Sequence, residues 1–255
     1  MSETTSWGDT DPIRKAAEHA AQPKPKRFFK RAEIGTGENG ETILLLDDRQ
    51  ARTPAKNVLH APNETVGRAL AAEWDAQVEF IDPGAMPLTR LLNSAIDGVS
   101  GQMDETRDTI ASFGETDLLC YRASHPEALV SRQTEAWDPV IERMEHLLSH
   151  RPVLAAGVMH VDQPDGLKPA ISEVLSTLDP FRLAAAFTVT SITGSAFLAL
   201  DAIHAGQAPD SVWHAAHIDE DWQIEQWGED SEATRRRAFR RTEFDAAMLV
   251  LRHAK

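Results

Sequence analysis

Residues 181–205 read FRLAAAFTVTSITGSAFLALDAIHA, and how this stretch is housed decides the fold. No charged side chain falls between Arg182 and Asp201. A helix that is apolar on every side needs cover on every side, either from lipid or from other protein. A membrane span takes about 20 consecutive apolar residues. Here Thr188, Thr190, Ser191, Thr193, Gly194 and Ser195 interrupt the run, and Arg182, Asp201 and His204 crowd its ends. The neighbouring segments carry apolar stripes that read as its covers. The stretch is therefore expected to be one buried helix, Phe181–Ala205, at the centre of a helical domain and not inserted in a membrane.

Working outward, Asp179-Pro180 opens this helix and Gly206 closes it. Leu167, Ile171, Val174 and Leu178 form the stripe before it. Val130, Thr134, Trp137, Ile141, Met144 and Leu148 form another, which Pro139 is expected to divide into two helices. Val99, Met103, Thr106, Ile110 and Phe113 form a third. Beyond Gly206, two helices are expected, Pro209–Trp227 and Asp230–His253, parted at Gly228. Asp117–Arg122 is a short apolar piece of open type, and residues 157–161 read as a loop or a brief strand.

Upstream of Pro87 the helical pattern gives way to strands. Phe28, Phe29 and Ile34 precede a turn containing Asn39-Gly40, a strong hairpin signal. Ile43–Leu46 is the second strand, Asp47-Asp48 turns into Arg49–Thr53, and Val58–His60 adds a short piece. Asn63 caps a helix running to Gln77, with Val66, Leu70 and Trp74 on one face. Trp74 reads as a structural anchor joining sheet to helix. The class is α+β: a small N-terminal antiparallel β domain, 27–85, then a larger mostly α-helical domain, 86–255. A flexible leader, 1–26, precedes them, its Lys24 and Lys26 alternating with Pro23 and Pro25.

The chain has 255 residues, 42% hydrophobic and 26% charged, an ordinary balance for a folded domain. Its net charge of -14 argues against a general nucleic-acid binder, which meets phosphates with a basic face. It favours solubility, or a partner with a basic surface. A single cysteine, Cys120, excludes an internal disulfide framework and any multi-cysteine metal site. The N-terminus has neither an apolar signal core nor the acid-free, Ser/Arg-rich character of a transit peptide. A bacterial cytoplasm is the expected compartment.

No Gly-rich phosphate loop, Gly-x-Ser-x-Gly elbow or His-Glu-x-x-His is present. His214 and His217 stand three apart beside Asp219 and Glu220, so a metal-assisted hydrolase centred on His214, His217 and Glu220 is the enzymatic alternative, against solvated histidines. Arg235, Arg236, Arg237, Arg240 and Arg241 form a basic patch, either paired with Glu229, Asp230 and Glu232 or contacting an acidic or phosphate-bearing partner. Cys120, among Leu118, Leu119 and Tyr121, reads as a core thiol. Trp213, His217, Glu220, Ile224 and Trp227 recur at four, three, four and three. That places one carboxylate on a largely aromatic and apolar face, where it costs energy unless paired. Either Glu220 pairs internally with an Arg or His, or another protein completes the face.

Several blocks occur together in one order: Thr53-Pro54-Ala55-Lys56, Ala72-Glu73-Trp74-Asp75-Ala76-Gln77, Met86-Pro87-Leu88-Thr89-Arg90, Asn93, Ala95-Ile96-Asp97, Asp117-Leu118-Leu119-Cys120-Tyr121-Arg122, Trp137-Asp138-Pro139 and Asp221-Trp222-Gln223 with Trp227-Gly228. In these the chain, from about Arg27 onward, resembles the assembly chaperones of the ATP synthase catalytic head that serve the alpha subunit (assembly factor 2). It departs at Trp222, where Tyr is commoner, and at Leu92 and Ser94. The resemblance implies a non-enzymatic protein without a cofactor that holds the free alpha subunit until beta arrives. The same family has mitochondrial matrix members. A required acidic position near the C-terminus matches Glu220, with Asp221 and Glu229 as alternatives. Trp74 matches a tryptophan whose loss impairs function. Partner contact is expected at Glu220, Trp213, Trp222, Ile224 and Trp227, in a monomer.

Overall fold

The computed structural model describes residues 24–157 and 159–254. Strand β1 (Ala32–Thr36) and strand β2 (Thr42–Leu46) form an antiparallel hairpin in which Ile34 faces Leu44. Its turn uses Gly40 at φ +88, a conformation that favours glycine. Strands β3 (Arg49–Gln50) and β4 (His60–Ala61) share the other edge of β2. Between β2 and β3, the Asp47 carboxylate accepts the backbone N–H groups of Lys30 and Arg31 and so fixes the start of the sheet. Helix α1 (Glu64–Asp75) lies across the sheet, its N-terminus capped by the Asn63 side chain, which accepts the Val66 N–H at 3.0 Å. A Cβ on Gly67 would stand 2.5 Å from a Thr42 methyl carbon, so only glycine lets this helix sit so close to β2.

Helices α2 (Pro87–Asp97) and α3 (Met103–Phe113) follow. The short apolar piece is a 3-10 turn, Leu118–Cys120, leading into β5 (Tyr121–Arg122), which pairs in parallel with β6 (Ala155–Ala156). The rest is helical: α4 (Glu127–Leu148), α5 (Leu167–Leu175), α6 (Pro180–Thr193), α7 (Ala196–His204), α8 (Pro209–Ala216), α9 (Ile218–Trp227) and α10 (Ser231–His253). The architecture is the expected α+β one. One contiguous apolar core runs from Phe29 under the sheet to Ala254 after the last helix. The His60 ring meets Phe181 edge-on at 5.2 Å, which ties the sheet to α6.

Four expectations are corrected. The stretch 181–205 is two helices, not one. Gly194 takes φ +70 and ends α6, and the Ser195 side chain caps α7 by accepting the Leu198 N–H at 3.1 Å. Thr193-Gly194-Ser195 is thus a stop followed by a restart, outweighed in the linear reading by the apolarity around it. Among the described residues no helix is long and apolar enough to cross a membrane. Pro139 does not divide its helix: α4 runs through it for 22 residues. Trp137, Val140, Ile141 and Met144 are all buried on both sides of it, and that shared burial outweighs one lost backbone hydrogen bond. The helix expected over Pro209–Trp227 breaks at His217 into α8 and α9. Finally, residues 24–26 of the expected leader belong to a ribbon in which Lys26 pairs with Phe80; residues 1–23 lie outside the described residues.

Hydrogen-bonded carboxylates, from exposed Asp75 and Asp97 to fully buried Asp117, act as fasteners between these elements. Glu73 accepts the N–H groups of Leu88 and Thr89 at 2.8 Å each and the Thr89 hydroxyl at 2.5 Å, capping α2 from α1. Trp74 donates its indole N–H to the same Thr89 oxygen at 2.9 Å and packs on Phe29. Asp75 accepts from the Ala32 N–H and from Arg27. Asp97 collects Thr53, Asn57 and the Ala55 N–H; burial opposes its charge, but these bonds hold its carboxyl below the ordinary range. Asp117, fully buried, accepts the N–H groups of Leu119 and Phe197 at 3.1 Å each.

Two outcomes follow from these fasteners. Glu73→Ala leaves three donors of the α2 start unmatched and is expected to lower unfolding free energy by about 1–3 kcal/mol in a denaturant titration, while Glu79→Ala changes it by less than about 0.5 kcal/mol. Burial pushes the Asp117 carboxyl up to about 7, against the pull of its hydrogen bonds. A folded value above the unfolded one, about 3.9, means a stabilisation that is complete below the unfolded value and is lost as pH rises through about 7. Between about pH 5.5 and pH 8.5 the native chain should therefore lose about 2 kcal/mol more stability than Asp117→Asn, read from denaturant midpoints at each pH.

Candidate partner-binding face

The break at His217 builds the site. Trp213 on α8 is 8% exposed, and its ring stacks on the His217 ring at 3.9 Å, with Phe244 edge-on at 5.2 Å and the Arg241 guanidinium 5.3 Å above. His217 Nδ1 lies 2.8 Å from the Trp213 carbonyl oxygen. A carbonyl only accepts, so this nitrogen carries a hydrogen. Desolvation holds His217 below its ordinary value, leaving the ring neutral at pH 7 and its Nε2 a bare acceptor. Glu220 Oε2 stands 3.9 Å from that Nε2. Two acceptors at this distance make no hydrogen bond.

Glu220 thus differs from the other acids of α9. Asp219 accepts from the buried Gln133 at 2.6 Å, Asp221 pairs with Arg237 at 2.5 Å, and Glu225 pairs with Arg132 at 2.8 Å. No described donor reaches the Glu220 carboxylate, whose side chain is 37% exposed. Ile224 and Trp227 follow it at four and seven residues, on the same face of α9. Trp227 is 79% exposed. Trp222 points elsewhere, under the Arg132 guanidinium at 4.9 Å. A groove of about 280 Å³ runs along the flank, lined by Arg132, Ile218, Asp221, Ile224, Glu225 and Arg237 among others.

The five residues expected for partner contact therefore divide. Glu220, Ile224 and Trp227 share one outer face, Trp222 sits on another side of the helix, and Trp213 lies beneath. They do not form one continuous stripe, because the turn at His217 rotates α9 relative to α8. The enzymatic alternative finds no convergent set. His214 approaches Asp221 at 3.8 Å while His217 turns to the Trp213 carbonyl, and among the described residues no three His, Cys, Asp or Glu side chains are placed to hold a metal. The basic patch pairs with other acids than those expected. Arg237 takes Asp221, Arg241 takes Asp210 and Asp245, and Asp230 instead caps α10 by accepting the N–H groups of Glu232 and Ala233. Cys120 is buried, and desolvation pushes its thiol up to about 12, far from a working nucleophile.

Two contributors were not among the expected contact residues, and Gln133 lies outside every block quoted above. Gln133 accepts the Ala123 N–H through Oε1 and donates to Asp219 through Nε2, linking the chain ahead of α4 to the start of α9. Arg122 pairs with Asp138 at 2.8 Å and lies 5.2 Å over the Trp137 ring, whose N–H donates to the Ala215 carbonyl on α8 at 2.7 Å. These contacts couple α4 to the break at His217.

The family model described as ATP12 chaperone protein matches residues 26–145. Among solved structures, the Atu1473 protein of Agrobacterium tumefaciens is 44% identical, with 97% of this chain and 93% of that one covered and a TM-score of 0.85. Atp12 from Paracoccus denitrificans is 38% identical, with 90% of this chain and 99% of that one covered and a TM-score of 0.80. The mitochondrial protein atp12 of Schizosaccharomyces pombe is 27% identical over 67% of this chain, which spans only 62% of that relative's length. With the Paracoccus protein 38% identical and matched over 90% of this chain and 99% of its own length, this chain belongs to the ATP12 chaperone family.

Proposed function

We propose that this protein is an assembly chaperone that holds the free alpha subunit of the F-type ATP synthase catalytic head until the beta subunit arrives, working without a cofactor in a bacterial cytoplasm. An unassembled alpha subunit exposes the apolar surface that beta later covers, and large exposed apolar patches lead to aggregation. A chaperone that covers such a patch needs exposed aromatic side chains and a polar group that stays uncommitted until the partner arrives. Glu220 beside Ile224 and Trp227 answers to both needs, and its lack of a donor is the observation that carries the reading. Trp213 and His217 support this face from below, and Trp222 flanks it.

Tryptophans are enriched among the side chains whose truncation costs a binding face most, and a charge of the wrong sign placed across an interface costs several kcal/mol. Purified chain mixed with isolated alpha subunit should keep it soluble and co-elute with it, and should not co-elute with an assembled alpha–beta complex. Glu220→Lys and Trp227→Ala, with unchanged circular dichroism, should each weaken that capture about tenfold or more. Unchanged affinity in both would remove α9 from the contact.

A further inference from the structure

A second exposed apolar strip lies far from α9 in sequence, on the ribbon that precedes α2. Residues 24–29 run antiparallel to residues 77–82: Lys26 pairs with Phe80, the Arg27 N–H donates to the Glu79 carbonyl at 2.9 Å, and the Ile81 N–H donates to that of Pro25 at 2.8 Å. Side chains alternate across such a ribbon. Phe29, Gln77 and Ile81 are buried, while Lys26, Phe28, Val78 and Phe80 face out; Phe28 is 70% exposed and Val78 87%. At the end of the ribbon Lys24 holds Asp82 at 2.6 Å.

Arg90 joins this ribbon to α10. Its guanidinium donates to the Pro83 carbonyl, pairs with Glu243 at 2.8 Å, and lies 5.5 Å from the centre of the exposed Phe239 ring. Arg235 and Arg236 precede Phe239 by four and three residues, one helical turn, and both are exposed. Lys26 thus stands with Phe28, Val78 and Phe80 on the outer side of the ribbon, Arg235 and Arg236 stand one turn from Phe239 on α10, and Arg90 bridges the two groups. The carboxylates of Asp82 and Glu243 are already matched by Lys24 and Arg90, and Glu79, also exposed, lies between Val78 and Phe80 in the ribbon. Among the described residues no acid pairs with Lys26, Arg235 or Arg236. Glu232, exposed on the same helix, stands three and four residues before Arg235 and Arg236 and pairs with neither.

Resting on the assembly-chaperone reading above, we propose that this strip is a second docking face, and that it takes a segment of the client polypeptide combining acidic with apolar side chains. Singly scattered apolar residues need no partner, but a line of them flanked by cations that no described acid pairs with is complementary to such a segment. An anionic bilayer fits less well, because a flat charged surface meets the whole acidic molecule, whereas a polypeptide segment meets the strip alone.

The test uses the full chain and isolated alpha subunit at two salt concentrations, with two double variants on different elements: Phe28→Ser with Val78→Ser, and Arg235→Glu with Arg236→Glu. All four side chains point to solvent, and circular dichroism checks the fold of each variant. Each pair should weaken capture about tenfold or more, and the arginine pair should also flatten its salt dependence. Native chain that captures alpha while both pairs capture it equally well overturns the second face and leaves the chaperone reading intact. Native chain that fails to capture alpha overturns the chaperone reading itself. Binding to phosphatidylglycerol vesicles that both pairs lose, with alpha capture unchanged, reassigns the strip to lipid.

Discussion

Two apolar helices placed end to end in the middle of a protein leave a set of backbone N–H groups with no water to bond, and here one buried carboxylate helps to take them. Asp117 sits beside the α6–α7 break and accepts from Phe197 at the start of α7 and from Leu119 in its own turn. Ser195 takes Leu198. An unmatched buried N–H costs as much as a lost hydrogen bond, so the break is possible only where such acceptors are supplied. Without it, α6 and α7 would continue as one rod, and α7 could not turn into its packing with α4, α8 and α10.

The same logic explains why the blocks that mark the family are mostly remote from α9. Glu73, Asp75, Asp97, Asp117 and Arg122 each tie one element to another across a long sequence gap. Their chemistry is capping and bridging. Removing any of the four acids leaves donors stranded, and removing Arg122 leaves the Leu119 carbonyl and the Asp138 carboxylate without theirs, which is a folding defect before it is a functional one. Trp74 belongs with them, because its indole bonds the same threonine that Glu73 holds.

On α9 the acids behave differently. Three of the four are committed to Gln133, Arg237 and Arg132, and they set the pitch of the helix against α4 and α10. The fourth, Glu220, faces a histidine that cannot serve it. The Trp213 carbonyl holds the ring hydrogen on the far nitrogen, and desolvation keeps the ring uncharged. A stacked Trp213–His217 pair thereby leaves a carboxylate without a donor among the described residues, beside an exposed tryptophan.

Much of this was legible in the linear sequence. Period-two and period-3.6 patterns gave the sheet-then-helices order, Asn63, Asp179 and Gly228 marked element ends, and the apolar 181–205 stretch had to lie in the core. These follow from local backbone preferences and burial, which a one-dimensional pattern encodes. The breaks at Gly194 and His217 and the continuity of α4 through Pro139 did not follow, since each depends on partners 80 or so residues away: Asp117 reaches α7, and Trp137 reaches Ala215. The sequence alone put an odd carboxylate among aromatics at Glu220. Only the tertiary structure decided that it has no donor among the described residues, because the state of His217 is set by its burial and by one carbonyl, and neither is written in residue spacing.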